Sequence, residues 1–227
     1  MKSSLRFMGG VGTVTGSRHH LTIGDRHVLL DCGMFQGIDE LRERNWKDLD
    51  PPPRSVDAVV LSHAHLDHSG LLPLLVKRGF AGPIHCTGGT ADLVSIVLRD
   101  AGRLQEEDAA RANRHGYSRH QPALPLYTLD EAEAVLPRLR SHPYGEPFEV
   151  MPGVSGLFRR AGHILGSATV ELATGDAGRL VFSGDLGRWD RPIIRNPERV
   201  PEADVLLIES TYGDRLHAGD GASQVQQ

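Results

Sequence analysis

Cysteine, excess positive charge and long apolar runs are all scarce in this sequence. Its 227 residues include two cysteines, Cys32 and Cys86. Both lie in apolar, strand-like segments, so we expect two buried free thiols in a reducing compartment rather than a disulfide scaffold. The formal net charge of −4 at pH 7 excludes a uniformly basic nucleic-acid coat, although it leaves room for a local basic surface.

Signals for secretion or membrane insertion are missing as well. The segment MKSSLRFMGG lacks the apolar core of a signal peptide, and no apolar run approaches the ~20 residues of a membrane-spanning helix. We therefore expect a soluble, cytoplasmic protein with no membrane partner. The length and the 39% hydrophobic content suit one domain with one substantial core.

Strand patterns occupy both ends of the sequence, and helical patterns lie between them. Apolar periodicity and turn residues predict an antiparallel start with a hairpin turn at Gly24-Asp25. The predicted elements are strands Leu5–Met8, His20–Ile23, His27–Asp31, Val56–Ser62 and Pro83–Thr87, helices over 71–79, Thr90–Ala112 and Asp130–Arg140, a loop over Asn113–Pro125, and strands Val154–Arg160, Ala168–Ala173, Leu180–Ser183 and Val205–Glu209. This order indicates an α/β (α+β) fold of two packed sheets with helices outside. The polar tail Leu216–Gln227 should be disordered.

Histidine is abundant, with twelve in the chain, and part of it is clustered. The motif HAHLDH places His63, His65, Asp67 and His68 directly after a predicted buried strand. Imidazole nitrogens and carboxylate oxygens are zinc ligands, and this many donors in one tight loop exceed what a single tetrahedral ion takes up without strain. The pattern therefore indicates two metal ions, whereas the alternative is a surface loop rich in histidine.

Two later segments have the composition of further ligand loops. They are GHILGS, with His163, and SGDLG, with Asp185 at the end of a predicted strand. Taken alone, a histidine in a glycine-rich turn is more often solvated, and an aspartate after a strand is more often a turn former. Together with HAHLDH, both segments favour metal binding.

The order Asp31, HAHLDH, GHILGS and SGDLG resembles the metallo-β-lactamase superfamily. The segment ESTYG at 209–213 is similar to the opening motif of its β-CASP branch, the RNA and DNA nucleases that include bacterial RNA-processing exonucleases. The resemblance runs to about Arg215 and implies an αββα sandwich with metals at one edge of the sheets. A domain over 1–215 and a tail over 216–227 follow, with the β-CASP domain absent and the sandwich incomplete at its C-terminus.

The resemblance also implies a role for each motif residue. The first zinc would be held by His63, His65 and His163, the second by Asp67 and His68, and both by Asp185 as the bridge. Behind the ligands, Asp31 would orient an imidazole, with a strand-ending turn as its alternative role. The acidic residues of the reaction would be Asp67, Asp185 and Glu209, although an ordinary strand-end carboxylate is an alternative for Glu209.

Two other segments invite a nucleic-acid role. The loop Gly9–Gly16 offers backbone N–H groups to a phosphate, but a strand follows it, so a structural turn near the site is the better interpretation. A basic stretch is suited to an RNA backbone, with Tyr117 as a stacking ring and a solvated loop as the alternative. Its basic members are Arg111, Arg114, His115, Arg119 and His120.

The leading hypothesis is a zinc-dependent phosphodiesterase acting on single-stranded RNA. A glyoxalase II-like thioesterase shares the metal motifs, and a catalytically silent RNA-binding scaffold is a rival from another class. The ESTYG motif favours the nuclease over the thioesterase. The intact ligand set of the chain argues against the scaffold.

The chain is expected to be the N-terminal part of a longer enzyme. The resemblance implies a returning segment that supplies one more histidine to the second metal, and His217 lies too close to ESTYG to replace it. The second zinc should therefore bind more weakly, and the chain alone should be a weak nuclease. An unpaired sheet edge would favour association, and a homodimer is compatible with that expectation.

Overall fold

The computed structural model describes residues 3–175 and 178–214, and it contains two β-sheets and five α-helices within these ranges. The strands are β1 (Ser3–Gly9), β2 (Arg18–Ile23), β3 (Arg26–Leu30), β4 (Ala58–Val60), β5 (Ile84–Thr87), β6 (Leu139–His142), β7 (Phe148–Met151), β8 (Val154–Arg160), β9 (Ala168–Ala173), β10 (Arg179–Phe182) and β11 (Val205–Leu207). The helices are α1 (Asp39–Arg42), α2 (Leu66–Ser69), α3 (Leu72–Lys77), α4 (Gly88–His115) and α5 (Leu129–Glu133), with 3₁₀ turns at Glu43–Trp46, Pro53–Ser55 and Leu136–Arg138.

The first sheet has the order β1-β2-β3-β4-β5-β6. Strands β1, β2 and β3 pair antiparallel, and the β2–β3 turn at Gly24-Asp25 confirms the predicted hairpin. From β3 to β6 the strands are parallel. Because parallel strands end at the same edge of a sheet, Asp31, Ser62 and the Thr87 cap of α4 emerge close together. The HAHLDH motif begins at that edge.

The second sheet has the order β11-β10-β9-β8-β7 and packs against the first. Its antiparallel strands β8, β9 and β10 bury Phe158, Val170 and Phe182 in a core whose buried members all come from strands or their ends. A second core lies between the first sheet and the helices, around Leu72 and Leu98. Two sheets with helices outside, as predicted, are thus present in the described ranges.

The central part of the chain departs from the sequence prediction. The helix predicted over Asp130–Arg140, which Pro137 is expected to bend or end, is wrong beyond Glu133, since a 3₁₀ turn over Leu136–Arg138 and then β6 follow. Proline lacks the N–H that an α-helix needs and clashes with the preceding turn. Strands β6 and β7 were not predicted, because their short segments carry no clear alternation of apolar and polar residues.

Helix α4 is longer than predicted at both ends. The side chain of Thr87 accepts a hydrogen bond from the backbone N–H of Thr90 at 3.2 Å, which caps the first turn. The helix continues through His115 into the predicted loop, and Gly116 ends it with a left-handed φ of 66°. Strands β4 and β11 are shorter than the predicted Val56–Ser62 and Val205–Glu209.

Both cysteines are buried and unbonded, as predicted. Burial raises the pKa of the Cys32 thiol and of the Cys86 thiol to about 12. None of the helices in the described ranges is both long and apolar enough to span a bilayer. The tail Leu216–Gln227, with His217, lies outside the described residues.

Gly102 tests the packing of α4 on the segment that begins α5. A Cβ at this position would lie 2.9 Å from the carbonyl oxygen of Thr128 and 3.0 Å from the backbone of Leu129. Gly102→Ala should therefore lower the free energy of unfolding by about 1–3 kcal/mol despite the higher helix propensity of alanine. Urea denaturation measures the change. Gly88→Ala is the control, since nothing lies within 4 Å of its Cβ; equal stability gains in both variants would contradict this packing.

Candidate metal centre

The HAHLDH motif folds back on itself at the end of β4. His63 is buried, and its Nε2 lies 3.0 Å from Nδ1 of His65. The hydroxyl of Ser62 lies 3.0 Å from His63 Nδ1 and 2.9 Å from Asp31 Oδ2. Because a hydroxyl donates one proton and Asp31 accepts it, Ser62 accepts from His63 Nδ1. This places the lone pair of His63 on Nε2, towards His65.

His163 enters the same space from the GHILGS loop. Its Nε2 lies 3.1 Å from His65 Nδ1. The hydroxyls of Thr87 and Thr90 donate to the carbonyl oxygen of Gly166, at 2.6 and 2.8 Å, which fastens the loop to the start of α4. A Cβ at Gly166 would lie 2.1 Å from the Thr90 nitrogen, so only glycine permits this approach.

Asp185 approaches from the second sheet, after β10. Gly184 before it has a φ of 55°, and a Cβ there would lie 2.6 Å from the Ser62 side chain. Oδ2 of Asp185 lies 3.8 Å from His63 Nε2 and 3.5 Å from His163 Nε2, while Oδ1 lies 3.2 Å from His68 Nε2. One carboxylate thus presents Oδ2 to a group that contains His63 and His163, and Oδ1 to a group that contains His68.

The first of these groups has the chemistry and size of a zinc site. Single ligand atoms of His63, His65, His163 and Asp185 all lie within 4.8 Å of one another. The separations of 3.0–3.8 Å between these atoms bracket the ~3.3 Å edge of a tetrahedron of nitrogen and oxygen ligands around zinc. Three imidazoles and one carboxylate therefore fit one ion.

The second group is less complete. His68 Nε2 lies 3.9 Å from Asp67 Oδ2, in addition to its contact with Asp185. Helix α2, which carries both residues, docks on the segment after β3 through Cys32 N–H, which donates to the His68 carbonyl at 2.8 Å. A Cβ at Gly33 would lie 1.7 Å from the Asp67 carbonyl oxygen, so glycine is required there.

Asp31 is fully buried behind this group, with four hydrogen bonds to its carboxylate. Oδ2 accepts from Ser17 Oγ at 3.0 Å, from Ser62 Oγ at 2.9 Å and from His68 Nδ1 at 2.7 Å. Oδ1 accepts from the Ser62 backbone N–H at 2.8 Å. The carboxylate therefore sets the orientation of the His68 ring and directs Nε2 towards Asp185 and Asp67.

Burial and neighbouring charges shift the pKa values of the clustered histidines in different directions. Burial lowers the pKa of His63 well below its ordinary value, with His68 adding to the effect, and burial together with His163 lowers the pKa of His65. Burial also acts to lower the pKa of His68, but Asp31 and Asp185 outweigh it and raise that pKa to about 10. Neutral imidazole is the form that binds metal.

Asp185 remains ionised in this environment. Burial acts to raise the pKa of its carboxyl group, but the hydrogen bond with His68 and the neighbouring imidazoles hold it well below the ordinary range. An ionised carboxylate beside neutral imidazoles is the donor set that a divalent cation requires.

A cleft of about 620 Å³ opens beside His68 and Asp185. Its walls include Glu209 and the loop from Gly10 to Val14. The Oε1 atom of Glu209 accepts from the Leu186 N–H at 2.6 Å, so this carboxylate holds the loop that carries Asp185. The glycine-rich loop is a turn at the rim of the site, as the sequence suggested.

The basic stretch spans the end of α4 and the segment that follows it. Arg111, Arg114 and His115 are helical, and Arg119 and His120 come after the helix, so the solvated loop of the alternative interpretation is wrong for the first three. The Arg119 guanidinium lies 3.4 Å from Asp39 and 3.3 Å from Glu43. The basic side chains are exposed to solvent, and the stretch contributes no residue to the cleft beside Asp185.

A two-sheet sandwich with histidines and aspartates gathered at the strand ends defines a metal-binding protein of the metallo-β-lactamase class. The sequence profile of the metallo-beta-lactamase superfamily matches residues 21–224. The chain belongs to this superfamily, as its motifs predicted. Divalent metal binding is what the fold implies.

Two relatives and one solved structure are similar to the chain. It is 42% identical to Ribonuclease TTHA0252 of Thermus thermophilus over 92% of this chain and 44% of the relative. It is 33% identical to Transcription termination factor FttA of Cenarchaeum symbiosum over 92% of this chain and 31% of the relative. A protein of unknown function from Enterococcus faecalis has a TM-score of 0.52 at 19% identity, over 82% of this chain and 44% of that one, and supports the fold alone.

These names agree with the RNA-processing branch that the sequence motifs indicated. The chain spans less than half the length of the curated relatives it matches.

Sequence reasoning brought the ligand residues together but missed their supports. Ser17, Ser62, Thr87 and Thr90 hold the Asp31 carboxylate and the His163 loop. Their roles depend on contacts between segments far apart in sequence. The only local signal is that Ser62 directly precedes the HAHLDH motif.

Metal binding should displace a proton from His68, because its pKa of about 10 keeps it protonated near neutral pH in the metal-free protein. We expect saturation with zinc at pH 7.5 to release about one proton from this residue, and zinc affinity to rise as the pH approaches 10. Asp31→Asn removes the charge that raises the pKa, so fewer protons should be released. Calorimetry in two buffers of different ionisation enthalpy measures the number.

The control for this variant is Asp48→Asn, which removes an exposed carboxylate elsewhere. Proton release that is absent in the native chain, or equal in Asp31→Asn and the native chain, would contradict the role of Asp31.

Proposed function

We propose that this chain is the metal-binding part of a zinc-dependent phosphodiesterase that cleaves single-stranded RNA in the cytoplasm, as a member of the β-CASP branch. The observation that carries the proposal is the convergence of His63, His65, His163 and Asp185 within 4.8 Å. The similarity to a protein named as a ribonuclease supports RNA as the substrate.

The proposed ligands divide between two zinc ions that share Asp185. His63, His65 and His163 would hold the first ion, and Asp67 and His68 the second. Two zinc ions, when bound, would activate a water molecule and withdraw charge from a phosphoryl oxygen, which phosphodiester hydrolysis requires. The ions would not bind equally, because the first group offers four converging ligands and the second offers three.

The residues of the chain act by positioning and by charge. Asp185 stays ionised and directs Oδ2 towards His63 and Oδ1 towards His68. Asp31 holds the His68 ring by its Nδ1, which leaves Nε2 for the ion. Glu209 positions the loop of Asp185 through the Leu186 N–H. The open cleft beside Asp185 leaves room for a polynucleotide backbone to reach these groups.

A substrate comparison with the chain itself tests this function. End-labelled single-stranded RNA, S-lactoylglutathione and a chromogenic lactam are each incubated with zinc-loaded protein. Of the three substrates, we expect only RNA to be cleaved, slowly, and a chelator to abolish the cleavage. Asp185→Asn should reduce the rate about 100-fold or more, because Asp185 contacts both groups of proposed zinc ligands. The control Asp108→Asn changes an exposed carboxylate in α4. Thioester turnover with intact RNA would overturn the assignment in favour of a thioesterase.

A further inference from the structure

His19 lies in the cleft beside the metal centre, although the motifs of the chain assign it no role. It belongs to β2, and its ring lies between the two sheets, edge-on to Phe7 and Phe182 with centroids 5.4 and 5.2 Å away. The same cleft is lined by His68 and Asp185. Only 6% of the His19 surface is exposed.

The ring of His19 is buried without the hydrogen bonds that normally accompany burial. Within the described residues, Nδ1 is enclosed and has no partner. Since Nδ1 is enclosed, Nε2 is the ring nitrogen through which this cleft-lining histidine can meet a ligand. A Cβ at Gly10 would lie 3.8 Å from Cε1 of His19, which places the glycine-rich loop over the ring. Because no described acceptor faces the enclosed Nδ1, the proton of the neutral ring belongs on Nε2, the nitrogen that a ligand can meet.

The other buried histidines of the chain differ from His19 in this respect. His20, on the opposite face of the same strand, lies 2.9 Å from His27. His85 lies 2.9 Å from His142 and 3.1 Å from the Val150 carbonyl oxygen. Hydrogen bonds compensate the burial of those two rings, whereas Nδ1 of His19 has no partner among the described residues.

We propose that His19 is a substrate-positioning residue that donates a hydrogen bond from Nε2 to a phosphate oxygen of the RNA backbone in the cleft. This inference rests on the proposed function for the identity of the substrate. With the proton on Nε2, the enclosed Nδ1 carries only a lone pair and the donor faces the cleft. Burial lowers the pKa of His19, with Asp31 opposing and His68 adding to the effect, so the ring is neutral and donates from one nitrogen.

The side walls of the cleft suit the remainder of a nucleotide. Phe7 is half exposed, and Leu5, Phe182 and Leu207 line the same space. Apolar and aromatic surface accepts the faces of bases without regard to sequence. A hydrogen-bond donor for a phosphate oxygen beside such a surface suits a nucleotide better than a small acid.

Binding of a fluorescein-labelled single-stranded RNA of ten nucleotides to the metal-free chain tests the proposal. Anisotropy should give a Kd about tenfold weaker for His19→Phe, which keeps a ring between Phe7 and Phe182 but lacks the donor. His19→Gln should bind within about threefold of the native chain, because its amide nitrogen reaches the position of Nε2. His19→Asn places its amide near Nδ1 and should resemble His19→Phe. The control His20→Phe alters the other face of the same strand.

RNA affinity equal to that of the native chain in all three His19 variants would overturn the proposal. An equal loss of RNA affinity in all three, accompanied by a loss of thermal stability, would overturn it as well. Nitrogen NMR of His19 in the native chain, titrated with inorganic phosphate, is independent of any variant. A shift of Nε2 on phosphate addition supports the donor role, and no shift contradicts it. A phosphate-dependent shift without RNA binding would support the donor role of His19 and contradict the proposed RNA function. RNA binding that is equal in the native chain and the His19 variants would support the RNA function and contradict the donor role.

Discussion

The buried carboxylate of Asp31 connects the parts of the chain that form the metal centre. Ionised groups are costly to bury unless hydrogen bonds replace their water, and Asp31 receives four, from Ser17, Ser62 and His68. These donors belong to the start of β2, the end of β4 and α2. The strand ends and the short helix are therefore held at one point. The orientation of His63 follows too, since Ser62 donates to Asp31 and accepts from that ring.

The metal centre also requires the loops that carry His163 and Asp185 to approach the segments around Asp31 closely. The loops of His163 and Asp185 reach the HAHLDH motif because Gly166 and Gly184 have no side chain where one would collide with Thr90 and Ser62. Each glycine adopts a positive φ. The resulting site keeps neutral imidazoles beside an ionised Asp185, which is an arrangement suited to a divalent cation.

The HAHLDH motif of the proposed metal centre could be recognised from the sequence because its spacing is local and it follows a recognisable buried strand, and the structure brings His63 and His65 together with His163 and Asp185. Asp31 was also identified, although only its contacts show that it orients His68. Local patterns failed where tertiary pairing decides, as in strand β6, whose Leu139–His142 segment alternates poorly and follows Pro137. His19 was missed for a related reason, since its unpaired nitrogen is a property of the folded cleft. The sequence alone placed it between a glycine-rich turn and the predicted strand His20–Ile23, whereas β2 begins at Arg18.

Every function proposed for this chain depends on metal binding by His63, His65, His163 and Asp185, and elemental analysis measures that binding. The chain is reconstituted with zinc, freed of loose metal by gel filtration and measured beside a His63→Ala and His65→Ala double variant, whose fold is checked by circular dichroism. We expect at least one tightly bound zinc ion per native chain and loss of that ion in the double variant. A native chain without metal, or a folded double variant that retains as much zinc as the native chain, would contradict the account.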